Sequence, residues 1–99
     1  MKRTDAIARL QQGCDRLKAL GVGGLFLYGS VARDQARPDS DVDLLIDPAD
    51  SGFTIFNLAA VQDVCAEILG AHAEVHDYGG YLRLPDFRRR VGGDLIRVF

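Results

Sequence analysis

The residues with chemistry to offer fall in two short clusters, Gly29-Ser30 and Ser40-Asp41-Val42-Asp43. The apolar run Leu25-Phe26-Leu27-Tyr28 ends in Gly29-Ser30, a polar connection follows, and Asp41 and Asp43 open a second apolar run through Leu44, Leu45 and Ile46. On a strand, alternate side chains share a face. Asp41 and Asp43 would therefore point the same way, roughly 7 Å apart along the strand. Val42, Leu44 and Ile46 would point the other way, into a core. Two neighbouring carboxylates repel unless a cation relieves them. Hard divalent cations such as Mg²⁺ take oxygen ligands and commonly share them with substrate phosphates. Gly29 suits a close backbone approach or a positive φ. Ser30 would open a helical turn whose free N–H groups favour an anion. Alone, the first cluster reads as a capped turn and the second as a solvated strand edge. At this spacing, each attached to a strand-like run, they read as a metal–phosphate site.

The elements that must hold these residues follow from periodicity and breakers. Thr4 is placed to cap a helix with the apolar face Ile7, Leu10, Cys14 and Leu17, ended by Gly21 to Gly24. Val22 to Tyr28 read as a first strand, and Val31 to Asp34 as a short helical turn after Gly29-Ser30. Arg37-Pro38-Asp39-Ser40 is a loop, Asp41 to Ile46 a second strand, and Asp47 to Gly52 a second connection. Residues 53 to 69 carry a helical stripe of Ile55, Leu58, Ala59, Gln62, Cys65 and Ile68 or Leu69, closed by Gly70. Ala73 to Tyr78 read as a third strand broken by Gly79-Gly80. Pro85 starts a short helix through Val91. Gly92-Gly93 breaks it, and Asp94 to Phe99 form a last extended piece. The order is α, β, short α, β, α, β, short α, β, with no repeat and no linker, so residues 1–99 are expected to form a single domain.

Composition excludes several classes. A net charge of −2 argues against binding nucleic acid by bulk electrostatics, so no direct nucleic-acid binding is expected. No apolar run is long enough for a membrane helix. Met1-Lys2-Arg3-Thr4-Asp5 lacks the apolar region of a secretory signal, so a cytoplasmic location is expected. Cys14 and Cys65 make neither a disulfide framework nor a zinc site and read as reduced core thiols. Arg88-Arg89-Arg90, with Arg83 and Arg97, gives a basic C-terminal patch, either a solvated face or a contact surface for a partner.

The pattern Gly29-Ser30-Val31-Ala32-Arg33 followed by Ser40-Asp41-Val42-Asp43-Leu44 resembles the signature of the DNA polymerase β-like nucleotidyltransferases, and in particular the minimal nucleotidyltransferases of bacteria and archaea. The resemblance covers most of the chain. It implies an α+β fold, a small mixed sheet flanked by helices. It implies an Mg²⁺-dependent nucleotidyltransferase with ATP as substrate and a two-metal site. Asp41 and Asp43 would hold the metals, and Gly29, Ser30 and Arg33 would grip the phosphates. Ser40 is counted with that phosphate-binding set, although it also reads as the turn residue that positions Asp41. The family's third carboxylate lies on the strand after the long helix. Counting from Leu69-Gly70 selects Glu74, where aspartate is more usual. Asp77 is its rival, of opposite strand parity, and His76 shares a face with Glu74. After Arg33 the family usually has glycine, and here stands Asp34. Members similar to this chain act as antitoxins of small helical ribonuclease toxins of the HEPN class, moving AMP onto a toxin tyrosine. That protein adenylyltransferase activity is the leading expectation. A catalytically weak domain that neutralises its partner by binding alone is the alternative.

Overall fold

The computed structural model of the chain describes residues 1–91 and 93–99, and the side chains of all of these except Leu82, Arg90 and Val91. The expected break at Gly92 and the side chain of Arg90 in the arginine patch lie outside the described residues.

The first helical stretch is two helices, α1 (Arg3–Gln12) and α2 (Cys14–Ala19), rather than one. They part at Gly13, where a β-carbon would collide with the Ile68 side chain, so the bare backbone lets this corner sit against the long helix. Ala6, Leu10 and Leu17 are buried, with Ile7 half-buried beside them. Thr4 does not cap α1. The helix starts two residues earlier than that cap requires, at Arg3, whose N–H donates to Asp34 Oδ1 at 2.9 Å. Asp34 has φ 58. The family's glycine fits such a left-handed position, and aspartate is among the few other residues that tolerate it. The departure at residue 34 thus keeps the turn and adds a cap to α1.

Strand β1 (Val22–Tyr28) leads into the four-residue helix α3 (Gly29–Ala32). Strand β2 runs Val42–Pro48. Asp41, expected as its first residue, lies just before it, and Asp47, expected in a loop, lies within it. Helix α4 (Ile55–Leu69) opens with a capping box in which Asn57 takes the usual place of glutamate. Thr54 Oγ1 accepts from Asn57 N–H at 3.3 Å, and Asn57 Oδ1 accepts from Thr54 N–H at 2.9 Å. Its buried stripe is Val61, Cys65 and Leu69. Ile55 and Ala59, expected on that stripe, are exposed: the packed face starts a turn later, where α4 reaches the sheet.

Strand β3 (Ala73–Asp77) stops one residue short of the expected end, because Tyr78 begins helix α5 (Tyr78–Leu82). Gly79-Gly80 therefore lies inside a helix and does not break the chain. The Asp77 carboxylate makes this possible by accepting from Gly79 N–H at 2.8 Å and Gly80 N–H at 3.3 Å, an N-cap that satisfies two free donors. Helix α6 (Pro85–Val91) follows, then β4 (Ile96–Arg97), shorter than the expected extended piece.

The sheet order is β3-β2-β1-β4. β1 pairs antiparallel with β2 and β4, while β2 and β3 are parallel, joined by α4 as a parallel pair requires. Alternation gives the sheet two distinct faces. Leu25, Leu27, Val42, Leu44, Ile46 and Val75 pack with α1, α2 and α4 into the main core. The opposite face carries Tyr28, Leu45 and Phe87 in a smaller cluster, with Phe26, Tyr78, Tyr81 and Leu95 around it. Cys65 is in the main core and burial pushes its thiol up to about 12, an inert group as expected. Cys14 is half-buried, and both cysteines are free.

Candidate active site

The second face of the sheet is only partly covered, and the gap is a cleft of about 520 Å³. Cross-strand register lays out its floor. Tyr28 pairs with Asp43, and Asp43 pairs with Glu74, so these three side chains form one row across β1, β2 and β3. The next row is Phe26, Leu45 and His76. Around the floor stand Gly29 from α3 and Arg33 just after it, Tyr81 from α5, Phe87 from α6, and Asp94 from the segment before β4.

Asp43 is half-buried between like charges. Its carboxyl is held above the ordinary value of 3.8, first by loss of solvent, then by the charges of Glu74 and Asp41, while His76 pulls the other way. A hydrogen bond with Glu74 also favours the protonated form of Asp43. Gly29 has φ 76, and a β-carbon there would run into the Asp43 carboxylate. Both demands call for glycine. Gly29→Ala is expected to cost about 1–2 kcal/mol for the left-handed backbone and to push Asp43 out of line. A lower melting temperature together with weakened Mg²⁺–ATP binding would show both effects.

The structure brings Gly29, Arg33, Asp43 and Glu74 into one cleft. It does not bring Ser30, Ser40 or Asp41 into the lining. Ser40 Oγ accepts from Arg37 N–H at 2.9 Å and closes the Arg37–Ser40 turn ahead of Asp41, which is the turn reading of that residue. Asp41 Oδ1 lies 3.1 Å from His72 Nδ1 on an exposed rim, near enough for its charge to act on Asp43. Arg33 Nη1 donates to Asp94 Oδ2 at 2.7 Å and Nε to Gln35 Oε1 at 3.2 Å. Asp77 is occupied in capping α5. Tyr28, Tyr81, Phe87 and Asp94 were not legible as site residues. Tyr28 carried a faint signal, since it directly precedes Gly29. Asp94 carried none, because its approach to Arg33 spans 61 residues.

The donor chemistry suits a hard cation. The groups crowded here are carboxylate oxygens, and the repulsion that adds to burial in raising Asp43 is what a divalent ion relieves. Among the described residues no three acidic, histidine or cysteine groups are already gathered as a metal cage. Asp43 and Glu74 fit as a pair, with Asp41 beside them and engaged by His72.

A mixed four-stranded sheet, with a carboxylate pair on one strand row and a Gly-Ser turn against it, defines a nucleotidyltransferase fold. The family model for the nucleotidyltransferase domain matches residues 7–83, and the chain belongs to that family. Membership implies transferase chemistry, and the family typically uses Mg²⁺ with a nucleoside triphosphate. Among solved structures, a candidate minimal nucleotidyltransferase is 28% identical over 97% of this chain and 95% of that one, with a TM-score of 0.79. A toxin–antitoxin complex with AMP-PNP shares the fold at 16% identity, 90% and 72% coverage and a TM-score of 0.66. The toxin–antitoxin pair MntA–HpeT, in mutant form, shares it at 16% identity, 90% and 71% coverage and a TM-score of 0.64. A search of curated proteins gave no match. Among the described residues no helix is long and apolar enough to cross a membrane.

Proposed function

We propose that the chain is a single nucleotidyltransferase domain that moves AMP from ATP to a hydroxyl of a partner protein, a tyrosine of a helical ribonuclease toxin of the HEPN class, and so acts as its antitoxin. The observation that carries the transfer reading is the row in which Asp43 and Glu74 stand side by side against Gly29. Asp43, Glu74 and, once released from His72, Asp41 would hold Mg²⁺. When bound, that ion supplies charge neutralisation at the phosphates and a more acidic acceptor hydroxyl. The chain's own residues supply the rest. The Gly29 backbone gives the phosphates room to approach. The Arg33 guanidinium offers positive charge at the cleft, steadied by Gln35 and Asp94. Glu74, beside Asp43 on the cleft floor, would take the acceptor's proton. The acceptor oxygen attacks the α-phosphorus, the bond to the bridging oxygen breaks, and pyrophosphate leaves. Positioning and charge, rather than a covalent intermediate on the protein, carry such a step.

One feature favours a protein acceptor. Arg88 and Arg89 of α6 are exposed next to the cleft, Arg89 paired with Asp86, and suit an acidic partner surface. Arg97 is spoken for, lying over the Phe26 ring and donating to the Phe99 carbonyl. A second reading rests on Asp41: its engagement with His72, and the glutamate at position 74, favour a domain that neutralises its partner by binding alone. Co-expression with the product of the adjacent gene, followed by intact mass measurement, separates them. The expected result is a complex whose partner is heavier by one or more AMP units. A complex with no added mass, neutralised equally by the Asp43→Asn variant, supports binding alone.

A further inference from the structure

The row of Tyr28, Asp43 and Glu74 is followed, two residues along each strand, by the row that ends in His76. That step is about 7 Å along the strands. There the wall changes character. The His76 and Tyr81 rings pack at a tilt, their planes 35° apart and their centroids 4.2 Å apart, and Phe87 meets Tyr81 edge-on at 4.9 Å. All three line the same cleft as the carboxylates. Tyr81 is half-buried, and Asp77 anchors the short helix that presents it. One cleft thus joins a charged row to a ring-lined wall one ribose-sized step away.

We infer that the wall of His76, Tyr81 and Phe87 is the nucleobase subsite of this cleft, holding the base by its flat faces and favouring purines over pyrimidines by ring size. This rests on the nucleotide reading of the charged row. Ring-face contact is tolerant of the groups on a base's edge and grows with stacked area. Adenine and guanine should therefore be held alike, and cytosine and uracil less well.

The chain provides its own reporter. It has no tryptophan and three tyrosines, and Tyr28, Tyr78 and Tyr81 all belong to this ring cluster. Intrinsic tyrosine emission reads the wall directly. The experiment titrates the chain, Tyr81→Ala and Tyr81→Phe with ATP, GTP, CTP, UTP and inorganic tripolyphosphate, each with Mg²⁺, by calorimetry and tyrosine fluorescence. Tyr81→Ala is expected to weaken ATP about tenfold and to leave tripolyphosphate within about twofold, which also shows that the variant folds. Tyr81→Phe should keep ATP affinity. ATP should change the emission and tripolyphosphate should not. Equal losses for ATP and tripolyphosphate, or no loss for either, overturn the base subsite while leaving the nucleotide reading in place. Intact ATP affinity with transfer lost assigns the wall to the acceptor instead, and also overturns it. No Mg²⁺–ATP binding by the unaltered chain removes the nucleotide reading itself, and the subsite with it.

Discussion

Asp43→Asn is expected to lower AMP transfer by about 10³-fold or more, the loss of several kcal/mol of charge stabilisation at the phosphates, and at the same time to make the metal-free protein more stable. The two effects have one cause. Asp43 sits half-buried between Glu74 and Asp41, so its charge is costly to the fold. Its folded pKa lies above the ordinary value of 3.8, so the folded chain binds this proton more tightly than the unfolded chain does. The associated stability is fully present below 3.8 and is lost as pH rises through the raised folded value. At neutral pH the wild type carries the whole penalty and asparagine carries none. In EDTA the variant should melt higher, on the order of a few degrees, and the difference should close at acid pH. Adding Mg²⁺ should stabilise the wild type and not the variant. Melting curves with and without Mg²⁺, beside a transfer assay, check all of this. A variant that melts lower in EDTA would show that the carboxylate row is not under electrostatic strain.

Glu74→Gln should abolish transfer with ATP binding mostly retained, whereas Asp77→Asn should be nearly silent. The register separates the two. Glu74 pairs with Asp43 on the cleft floor, while Asp77 accepts from the N–H groups of Gly79 and Gly80. Asparagine caps a helix about as well as aspartate, so the Asn variant keeps α5 in place. Asp77→Ala, by contrast, should cost about 1 kcal/mol and loosen the helix that carries Tyr81. Glutamate at 74 is one methylene longer than the family's usual aspartate, so Glu74→Asp is the informative conservative change. Transfer that survives Glu74→Gln and falls with Asp77→Asn would place the chemistry on the other face of β3.

Much of this was legible because it is local. Alternation alone places Val42, Leu44 and Ile46 in the core and Asp43 on the opposite face, and a Gly-Ser turn at the end of an apolar run marks β1 and α3. The alternation needs only the period of a strand. Glu74 needed the family resemblance as well, which puts a third carboxylate on the strand after α4, and parity then keeps Asp77 off the face that Glu74 shares with Asp43. What these readings did not reveal depends on which partner each polar group finds, sometimes a few residues away and sometimes far along the chain. Gly79-Gly80 looks like a breaker until the Asp77 carboxylate is seen to satisfy both N–H groups. Asp34 looks like a faulty turn until its oxygen is found on Arg3. Asp41 reads as the first residue of a strand, yet the pairing of β2 begins at Val42 and leaves its carboxylate to His72. The ring wall of His76, Tyr81 and Phe87 arises only when α5 and α6 fold back over the sheet. Sequence by itself determined which side chains alternate onto the chemical face, because that is a property of neighbouring residues. Only the tertiary structure decided which of them meet, because loop closure and cross-strand register bring together groups that share no local signal.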